Sequence, residues 1–219
     1  MDMTDQTSTT LNVLEALHST PARRYLSKKK IPDTIIWELL DAAIRAPSGG
    51  NSQGWNWMVL KDQKKKDQIS EWYREGWHLA YGKRRQAIMD RSDSSDTLGP
   101  RNYLSAEYLA NHIQEAPIWI IGTLRNTSNS RNPRAGSSIY GAVQNLMLAA
   151  RAYGIGSTLT TLYAGHEEDV KHLLGIPDDA TTMALIPLGY PEKGKWSQPK
   201  RQAVEEVTHW DCWGNAKKR

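Results

Sequence analysis

The chain has 219 residues, of which 39% are hydrophobic and 24% are charged, which fits one globular domain over residues 1–219 and argues against a disordered chain. No apolar run approaches the roughly 18–20 residues that cross a bilayer, so we expect no membrane partner. The net charge is +4, and the basic triplets at 28–30, 64–66 and 83–85 are separate and belong to no recognisable nucleic-acid-binding module, so we expect anionic small molecules rather than nucleic acid as partners.

The first third of the chain has the periodicity of two helices followed by a strand and a further helix. The segment LNVLEALH (11–18) is apolar-periodic, and IPDTIIWELLDAAIRAP (31–47) has apolar residues at helical spacing until Pro47 stops it. WMVL (57–60) is a short apolar run that predicts a buried strand. A polar helix is expected over about 62–80.

The middle of the chain begins with a charged, weakly periodic stretch, YGKRRQAIMDRSDSSDTLGP (81–100). Together with the residues up to 105, it predicts a mobile excursion or lid. A helix near 102–115 and a buried strand, APIWIIGTL (116–124), follow. The polar segment 125–136 is expected to be a loop.

The last third predicts a helix, an extended segment, a helix and a strand. SSIYGAVQNLMLAARAYGIGS (137–157) has one apolar helical face, with Gly154 as a left-handed C-cap. STLTTL (157–162) is expected to be extended, 166–175 helical, and TTMALIPLGYP (181–191) a strand. Strands separated by long helices favour an α+β or α/β fold.

Several common sites are excluded by their motifs. YGIGSTL (153–159) lacks the third glycine of a dinucleotide fingerprint and follows a helix, not a strand. No phosphate loop, nucleophile elbow or H-E-x-x-H zinc pattern occurs, so we expect no metal. Cys212 is the only cysteine and is interpreted as structural. The first ten residues do not have the pattern of a secretory signal, and we expect a cytoplasmic protein.

The remaining candidate residues are polar or basic and are distributed along the whole chain. Taken singly, each has an ordinary structural explanation, such as a solvated corner or a surface pair. They are Arg23 and Arg24 after the first helix, Ser48, Asn51 and Gln53 in a loop, Thr158, Thr160 and Thr161 in the extended segment, and Lys200 and Arg201 in the tail.

Together these segments resemble the FMN-dependent nitroreductase family. APSGGNSQGWNW (46–57) is similar to that family's Ala-Pro-Ser-x-x-Asn-x-Gln-Pro-Trp loop and carries the resemblance most specifically. The other matching segments occur in the family's order and cover most of the chain except 63–135. The segments are ARRYLSKKKIPDTIIWELLDAAIRAPSGGNSQGWNWMVLKD (22–62), NLMLAARAYGIGSTLTTL (145–162), LLGIPDDATTMALIPLGYP (173–191) and PKRQAVEEVTHWDCWG (199–214).

The resemblance implies an α+β fold with a mainly antiparallel central sheet flanked by helices, in an intertwined homodimer with FMN at the interface. It also implies an FMN site whose phosphate is met by basic residues and whose ring is met by small and hydroxylated residues. The implied cofactor-binding residues are Arg23, Arg24, Pro47, Ser48, Gly49, Asn51, Gln53, Leu159, Thr160, Thr161, Lys200 and Arg201. Donors at Thr160 or Thr161 would meet the N5 edge of the ring.

Three positions depart from the family pattern. Ser19-Thr20-Pro21-Ala22 stands where the family has an Arg-x-Ser phosphate motif, so the phosphate must depend on Arg23 or Arg24. Gly54 replaces a proline before Trp55. Gln202-Ala203 follows Arg201 where a basic residue and a proline are common.

The implied activity is ping-pong reduction of nitroaromatics, quinones or similar electron-poor small molecules, with NAD(P)H as reductant. Because the flavin does the chemistry itself, no side chain is assigned as catalytic. Acceptor selection is expected from 81–105, unless this is an ordinary surface loop. The alternatives are reductive dehalogenation, enoate reduction or flavin fragmentation on the same fold, a flavin-binding protein without turnover, and a basic nucleic-acid binder.

Overall fold

The structure is a computed structural model that describes residues 11–90, 99–125, 134–217 and 219. Helices and strands alternate along the chain, with short 3₁₀ turns between several of them. The helices are α1 (Val13–His18), α2 (Asp33–Ala43), α3 (Gln63–Tyr81), α4 (Arg85–Met89), α5 (Pro100–His112), α6 (Tyr140–Ala152) and α7 (Glu167–Leu174). The strands are β1 (Trp55–Leu60), β2 (Ile118–Arg125), β3 (Gly156–Ser157) and β4 (Ala180–Gly189).

The four strands form one antiparallel sheet in the order β1-β2-β4-β3. β2 and β4 are its central pair, with Ile118 opposite Leu188 and Ile120 opposite Ile186. The β2–β4 register shifts between Gly122 and Thr123, which marks a bulge. Beyond β3, Thr160 forms an isolated bridge to Leu185 and so extends that edge of the sheet.

The two faces of the sheet carry two separate hydrophobic clusters. Because side chains alternate along a strand, Ile118 and Ile120 of β2 face α2 and α6, whereas Trp119 and Ile121 face α3, α5 and α7. All four are nearly inaccessible to solvent. The α2–α6 face therefore packs as a helix pair over the sheet, and the opposite face is covered by helices rich in aromatic residues.

Local sequence signals account for most of the helix ends. The Asp62 side chain caps α3 by accepting a hydrogen bond of 2.9 Å from the Lys65 amide. Gly175 follows α7 with φ +68°, and Gly154 follows α6 with φ +69°, which confirms the predicted left-handed position there. The predicted strands and helices outside 81–105 occur with ends shifted by a few residues.

The described parts of the stretch 81–105, where an excursion was predicted, are mainly helical. Tyr81 is the last residue of α3, Arg85–Met89 is helical, and α5 begins at Pro100. Ile88 and Tyr103 are buried in the core, and these two anchors explain why a weakly periodic sequence still forms helices. Residues 91–98 lie outside the described residues.

The fold class agrees with the predicted α+β arrangement, a mainly antiparallel sheet with helices on both faces. Within the described residues, no helix combines the length and the apolar character needed to cross a membrane.

Candidate functional site

Two adjoining cavities open where the end of α1, the segment 158–162 and the tail approach one another. The first, of about 300 Å³, lies against α3 and α5 and is lined by aromatic side chains that include Tyr73, Trp77 and Tyr103. The second, of about 430 Å³, lies against α6 and the tail. Arg24, Thr158 and Leu159 line both cavities, which makes them the meeting point of the two.

The segment that carries Arg24 is fixed by backbone pairing on two sides. The Arg23 amide donates to the Ser157 carbonyl at 2.8 Å, and the Ser27 amide donates to the Tyr190 carbonyl at 2.8 Å. Leu26 forms an antiparallel bridge with Pro191. The segment is therefore extended, and successive side chains point to opposite sides of it.

The alternation separates the two arginines that the sequence analysis grouped together. The Arg23 side chain, only 8% exposed, points away from both cavities and donates to the carbonyls of Lys193, Gly194 and Lys195 at 2.5–3.1 Å. Burial, and then the nearby charge of Arg151, lower the pKa of its guanidinium. Its donors are therefore occupied within the chain.

Arg24 is the arginine of the pair that faces the cavities. Its Nη1 donates to the Ser105 hydroxyl at 3.2 Å, and burial lowers the pKa of its guanidinium. Among the described residues, no carboxylate forms an ion pair with it. A desolvated cation without an acidic partner is a favourable position for an anion or for an electron-rich ring edge.

The segment 158–162 lines the cavities with three threonines and two leucines. Leu159 is 40% exposed although it is a large aliphatic residue, and Thr161 is exposed beside it. The Thr160 amide donates to the Leu185 carbonyl at 3.0 Å, and the Thr160 hydroxyl donates to the Tyr73 hydroxyl at 3.1 Å. The backbone donor of Thr160 is thus engaged in the sheet, while Leu159 offers an apolar surface.

The tail contributes one of its two predicted basic residues. Arg201 lines the second cavity, together with Gln198, and its Nη1 donates to the Lys200 carbonyl at 3.0 Å. Lys200 is exposed and does not line either cavity. Arg201 and Arg24 therefore bring two guanidinium groups from opposite ends of the chain to one cavity.

The predicted loop at 47–53 lies apart from both cavities. Pro47, Ser48, Gly49, Asn51 and Gln53 are absent from the lining of each, and the loop is mostly exposed. It is nevertheless ordered by its own contacts, since Ser48 accepts from the Gln53 amide at 3.0 Å and the Gly49 amide donates to the Ser138 hydroxyl at 3.2 Å. Gln53 therefore supports the loop through its backbone amide.

The loop also contains unusual backbone conformations. Gly50 has φ +58°, Asn51 has φ +53° and Gln53 has φ +48°. For residues with a side chain this left-handed conformation costs of order 1–2 kcal/mol, and such strain clusters at functional sites. The nearby Trp55 is buried in the α2–α6 core, and Trp57 is partly buried against it, which anchors the end of the loop.

Sequence reasoning missed several residues that line the cavities. His18, Thr20 and Gln198 line the second cavity, and the sequence analysis gave them no role in a site. Tyr73 and Trp77 line the first cavity. The four-residue spacing of Ile69, Tyr73 and Trp77 within an otherwise polar helix was a signal that could have found them.

Comparison with known proteins places this geometry in a family. The nitroreductase family model matches residues 18–190, which is most of the chain. The chain belongs to the nitroreductase family. The family predicted from the loop and tail motifs is thus confirmed. The roles of the loop and the tail in the site were implied by the resemblance.

Nitroreductase-family relatives match nearly the whole length of the chain. The NADH dehydrogenase of Thermus thermophilus is 29% identical over 215 residues, which cover 92% of this chain and 98% of the relative. Iodotyrosine deiodinase 1 of Mus musculus is 27% identical over 199 residues, which cover 88% of this chain and 67% of the relative.

Solved structures agree on the fold. A nitroreductase from Desulfitobacterium hafniense, crystallised with bound FMN, superimposes with a TM-score of 0.67 at 19% identity and covers 92% of this chain and all of that chain. An oxidized iodotyrosine deiodinase bound to FMN and 3-iodo-L-tyrosine gives a TM-score of 0.68 at 22% identity and covers 90% and 99%. The predicted nitroreductase-like α+β fold is therefore confirmed.

Proposed function

We propose that this chain is an FMN-dependent oxidoreductase that uses NAD(P)H to reduce electron-poor aromatic acceptors such as nitroaromatics and quinones. The observation that carries the proposal is the meeting of Arg24 and Arg201 with the exposed Leu159 at two adjoining cavities. Relatives named for NADH or NAD(P)H chemistry and neighbours crystallised with FMN support it.

The residues at the cavities fit FMN in their chemistry. A phosphate ester needs charge-assisted donors, which Arg201 at the second cavity supplies. An isoalloxazine ring needs an apolar face and a cation near its polar edge, which Leu159 and Arg24 supply. The cavities, about 300 and 430 Å³, fall in the range of small-molecule sites.

When bound, FMN supplies the redox chemistry, taking two electrons from NAD(P)H and passing them to the acceptor. The chain's own residues would bind and orient FMN and the acceptor. Arg24, which has no acidic partner among the described residues, offers positive charge next to a ring that gains electrons. We assign Thr161, and the Thr160 hydroxyl if it leaves Tyr73, as donors toward the ring edge.

We propose that the loop 47–53 acts on the site of a second copy of the chain. Its residues lie outside both cavities of their own chain, yet their strained and exposed conformation is typical of a contact surface. A symmetric homodimer would bring each loop to the partner's site. In this arrangement each chain, a single domain over 1–219, contributes its cavities to one FMN site and its loop to the other.

The aromatic lining of the first cavity favours planar acceptors. Tyr73, Trp77 and Tyr103 form its wall, and the Trp77 and Tyr103 rings lie 5.2 Å apart at an angle of 55°. Such a wall contacts aromatic rings through offset or edge-to-face stacking. Two of the tyrosines from the predicted selection region, Tyr81 and Tyr103, line this cavity, which supports a role for that region in choosing the acceptor.

Reductive dehalogenation is a second proposed function. Several relatives named iodotyrosine deiodinase match over 82% or more of this chain, and one of their structures holds 3-iodo-L-tyrosine. A halogenated phenol would suit the same aromatic wall. The two functions share FMN and differ only in the acceptor.

The test begins with the purified protein. We expect a yellow protein whose acid-released cofactor has the mass of FMN, and oxidation of NADPH or NADH that accelerates when a nitroarene or quinone is added. A matched set of a nitrophenol, an iodophenol and an enone then identifies the acceptor class. A colourless protein that does not bind added FMN would refute the proposal, and binding without turnover of any acceptor would identify a flavin-binding protein.

A further inference from the structure

We propose that Arg23, Arg151 and Trp196 form a clamp that positions the C-terminal tail, so that Arg23 supports the phosphate site through the tail and not by touching the cofactor. The inference rests on the proposed FMN function. It assigns roles to Arg151 and Trp196, and it changes the role of Arg23 from ligand to positioning residue.

The first part of the clamp is the capture of three consecutive carbonyls by one guanidinium. Arg23 Nη2 donates to Lys193 and Gly194, and Nη1 donates to Lys195. Gly194 has φ +77°, and a Cβ atom there would lie 3.2 Å from Arg23 Nη1. A glycine therefore allows both the backbone conformation and the close approach of the guanidinium.

The second part is the packing of Trp196 against two cations. The guanidinium carbon of Arg151 lies 4.2 Å from the Trp196 ring centroid, and that of Arg23 lies 5.0 Å from it. Both arginines are only 8% exposed, which strengthens attraction to the ring by excluding water. Arg151 Nη2 also donates to the Ser19 hydroxyl at 3.3 Å, so the clamp joins α6, the end of α1 and the tail.

Besides the clamp, the start of the tail is held by Lys193, whose Nζ lies 4.8 Å from the Tyr25 ring centroid. The clamp matters because few other contacts hold the residues that follow. Among the described residues, no hydrogen bond between backbone groups joins 193–202 to the body of the chain. The side-chain contact next along the tail is Gln198 Nε2 with His18 Nδ1, at 3.3 Å and exposed. Arg201 lines the second cavity only five residues after Trp196. Releasing Trp196 should therefore release Arg201.

The experiment compares the affinities for FMN and riboflavin, because the two ligands differ only by the phosphate. Dissociation constants are measured by quenching of flavin fluorescence at one ionic strength. The quantity of interest is the ratio of the riboflavin constant to the FMN constant. Arg201→Ala serves as the benchmark and should lower this ratio about tenfold, as expected for one charge-assisted contact.

Trp196→Ala and Arg23→Met should lower the ratio to a similar extent, whereas Trp196→Phe, which keeps an aromatic ring, should retain most of it. Trp213→Ala is the matched control, since this tail tryptophan is 92% exposed and lies beyond Arg201. Thermal melting establishes that each variant is folded. If Arg23→Met does not fold, the ratios measured for Trp196→Ala and Trp196→Phe decide the result, because Trp196 is only half-buried.

The clamp is refuted if Arg201→Ala lowers the ratio and folded Trp196→Ala does not, or if Arg201→Ala leaves the ratio unchanged. In both cases the wild-type protein still binds FMN, so the proposed function stands. If the wild-type protein binds neither flavin, the proposed function fails first.

Discussion

The cation-lined cavities and the loop 47–53 differ in how the chain supports them. Arg24 lies on a segment paired on both sides by backbone hydrogen bonds, and the neighbouring Arg23 is buried. The loop is exposed, contains two non-glycine residues with positive φ, and has a single hydrogen bond to a distant side chain, that of Ser138, among the described residues. One region is stabilised by its own chain, and the other has few contacts with the rest of its chain.

Under the proposal above, the site is divided between two chains. The cavities bind the anionic cofactor within one chain, whereas the loop meets it only when a second chain approaches. Substitutions in the first region should therefore affect folding and binding together. Substitutions in the loop should weaken FMN binding and leave folding unchanged.

The largest expected effect is at Gly76, on the cavity side. A Cβ atom at Gly76 would lie 1.8 Å from the Leu162 carbonyl oxygen, so Gly76→Ala must push α3 away from the segment 158–162. We expect a loss of about 3 kcal/mol or more in the free energy of unfolding, measured by urea denaturation. Gly165→Ala is the control, because no atom lies within 4 Å of its Cβ position. Equal stability of the two variants would contradict the packing described.

A complementation experiment tests the division of the site. One protein carries Arg24→Ala and Arg201→Ala, and the other carries Ser48→Ala and Asn51→Ala. Each alone should bind little FMN, but a refolded mixture should recover about a quarter of the wild-type sites, since half of the dimers are mixed and each has one intact site. No recovery in a mixture that forms dimers would indicate that each chain builds its site alone.

A substitution at Gly49, near the start of the loop, should weaken FMN binding with little effect on stability. A Cβ atom at Gly49 meets only the Ser138 hydroxyl oxygen, at 3.5 Å, which is ordinary contact. Gly49→Val should therefore change the free energy of unfolding by less than about 1 kcal/mol while weakening FMN binding about tenfold or more, if the loop approaches the partner's cofactor. Unchanged affinity in a folded dimer would exclude such an approach.

A smaller effect is expected from the strain in the loop. Gln53→Gly removes the cost of a left-handed conformation and should raise the free energy of unfolding by about 1 kcal/mol. Ser52→Gly is the matched control, because Ser52 has φ −66° and its replacement should destabilise the protein slightly. A loss of stability in Gln53→Gly would mean that the side chain contributes more than the backbone strain costs.

The smallest effect concerns His166, behind the first cavity. The Asp169 carboxylate at 3.1 Å, and then Glu75 at 2.9 Å, raise the pKa of the imidazole above 6.5. The protonated form therefore stabilises the folded state at pH below about 6.5, and this contribution is lost as the pH rises through the raised pKa. The melting temperature of His166→Gln should lack this decrease between about pH 6 and 8. If the melting temperatures of the wild type and His166→Gln depended on pH in the same way, this role of His166 would be refuted.

The fold was largely predictable because its signals are local. The helical spacing of Ile35, Ile36 and Leu39 in α2 and the apolar run of β2 both follow from burial on one face or two. The helix near 102–115 was predicted and corresponds to α5, whereas the short helix α4 was missed because its buried anchor, Ile88, lies in a polar sequence. Periodicity does not detect a single anchor.

The site was predictable in composition but not in arrangement. Arg23 and Arg24 are adjacent in sequence. Their segment is extended because it pairs with Ser157 on one side and Pro191 on the other, and this conformation alone turns Arg23 to the tail and Arg24 to the cavities. Similarly, Lys200 and Arg201 are equivalent as sequence, but only Arg201 lines a cavity. The exclusion of the loop 47–53 from those cavities depends on the whole fold, which no local pattern encodes.

The capture of the tail by Arg23 also has a consequence for biosynthesis. Arg23 and its acceptor at Lys193 are 170 positions apart, so the tail cannot be held until residues 193–195 have left the ribosome. A nascent chain would present Arg24 before Arg201, which lines the same cavity. Loading of the flavin should accordingly follow the emergence of residue 201, and cofactor supply should govern the protein's maturation more than its translation.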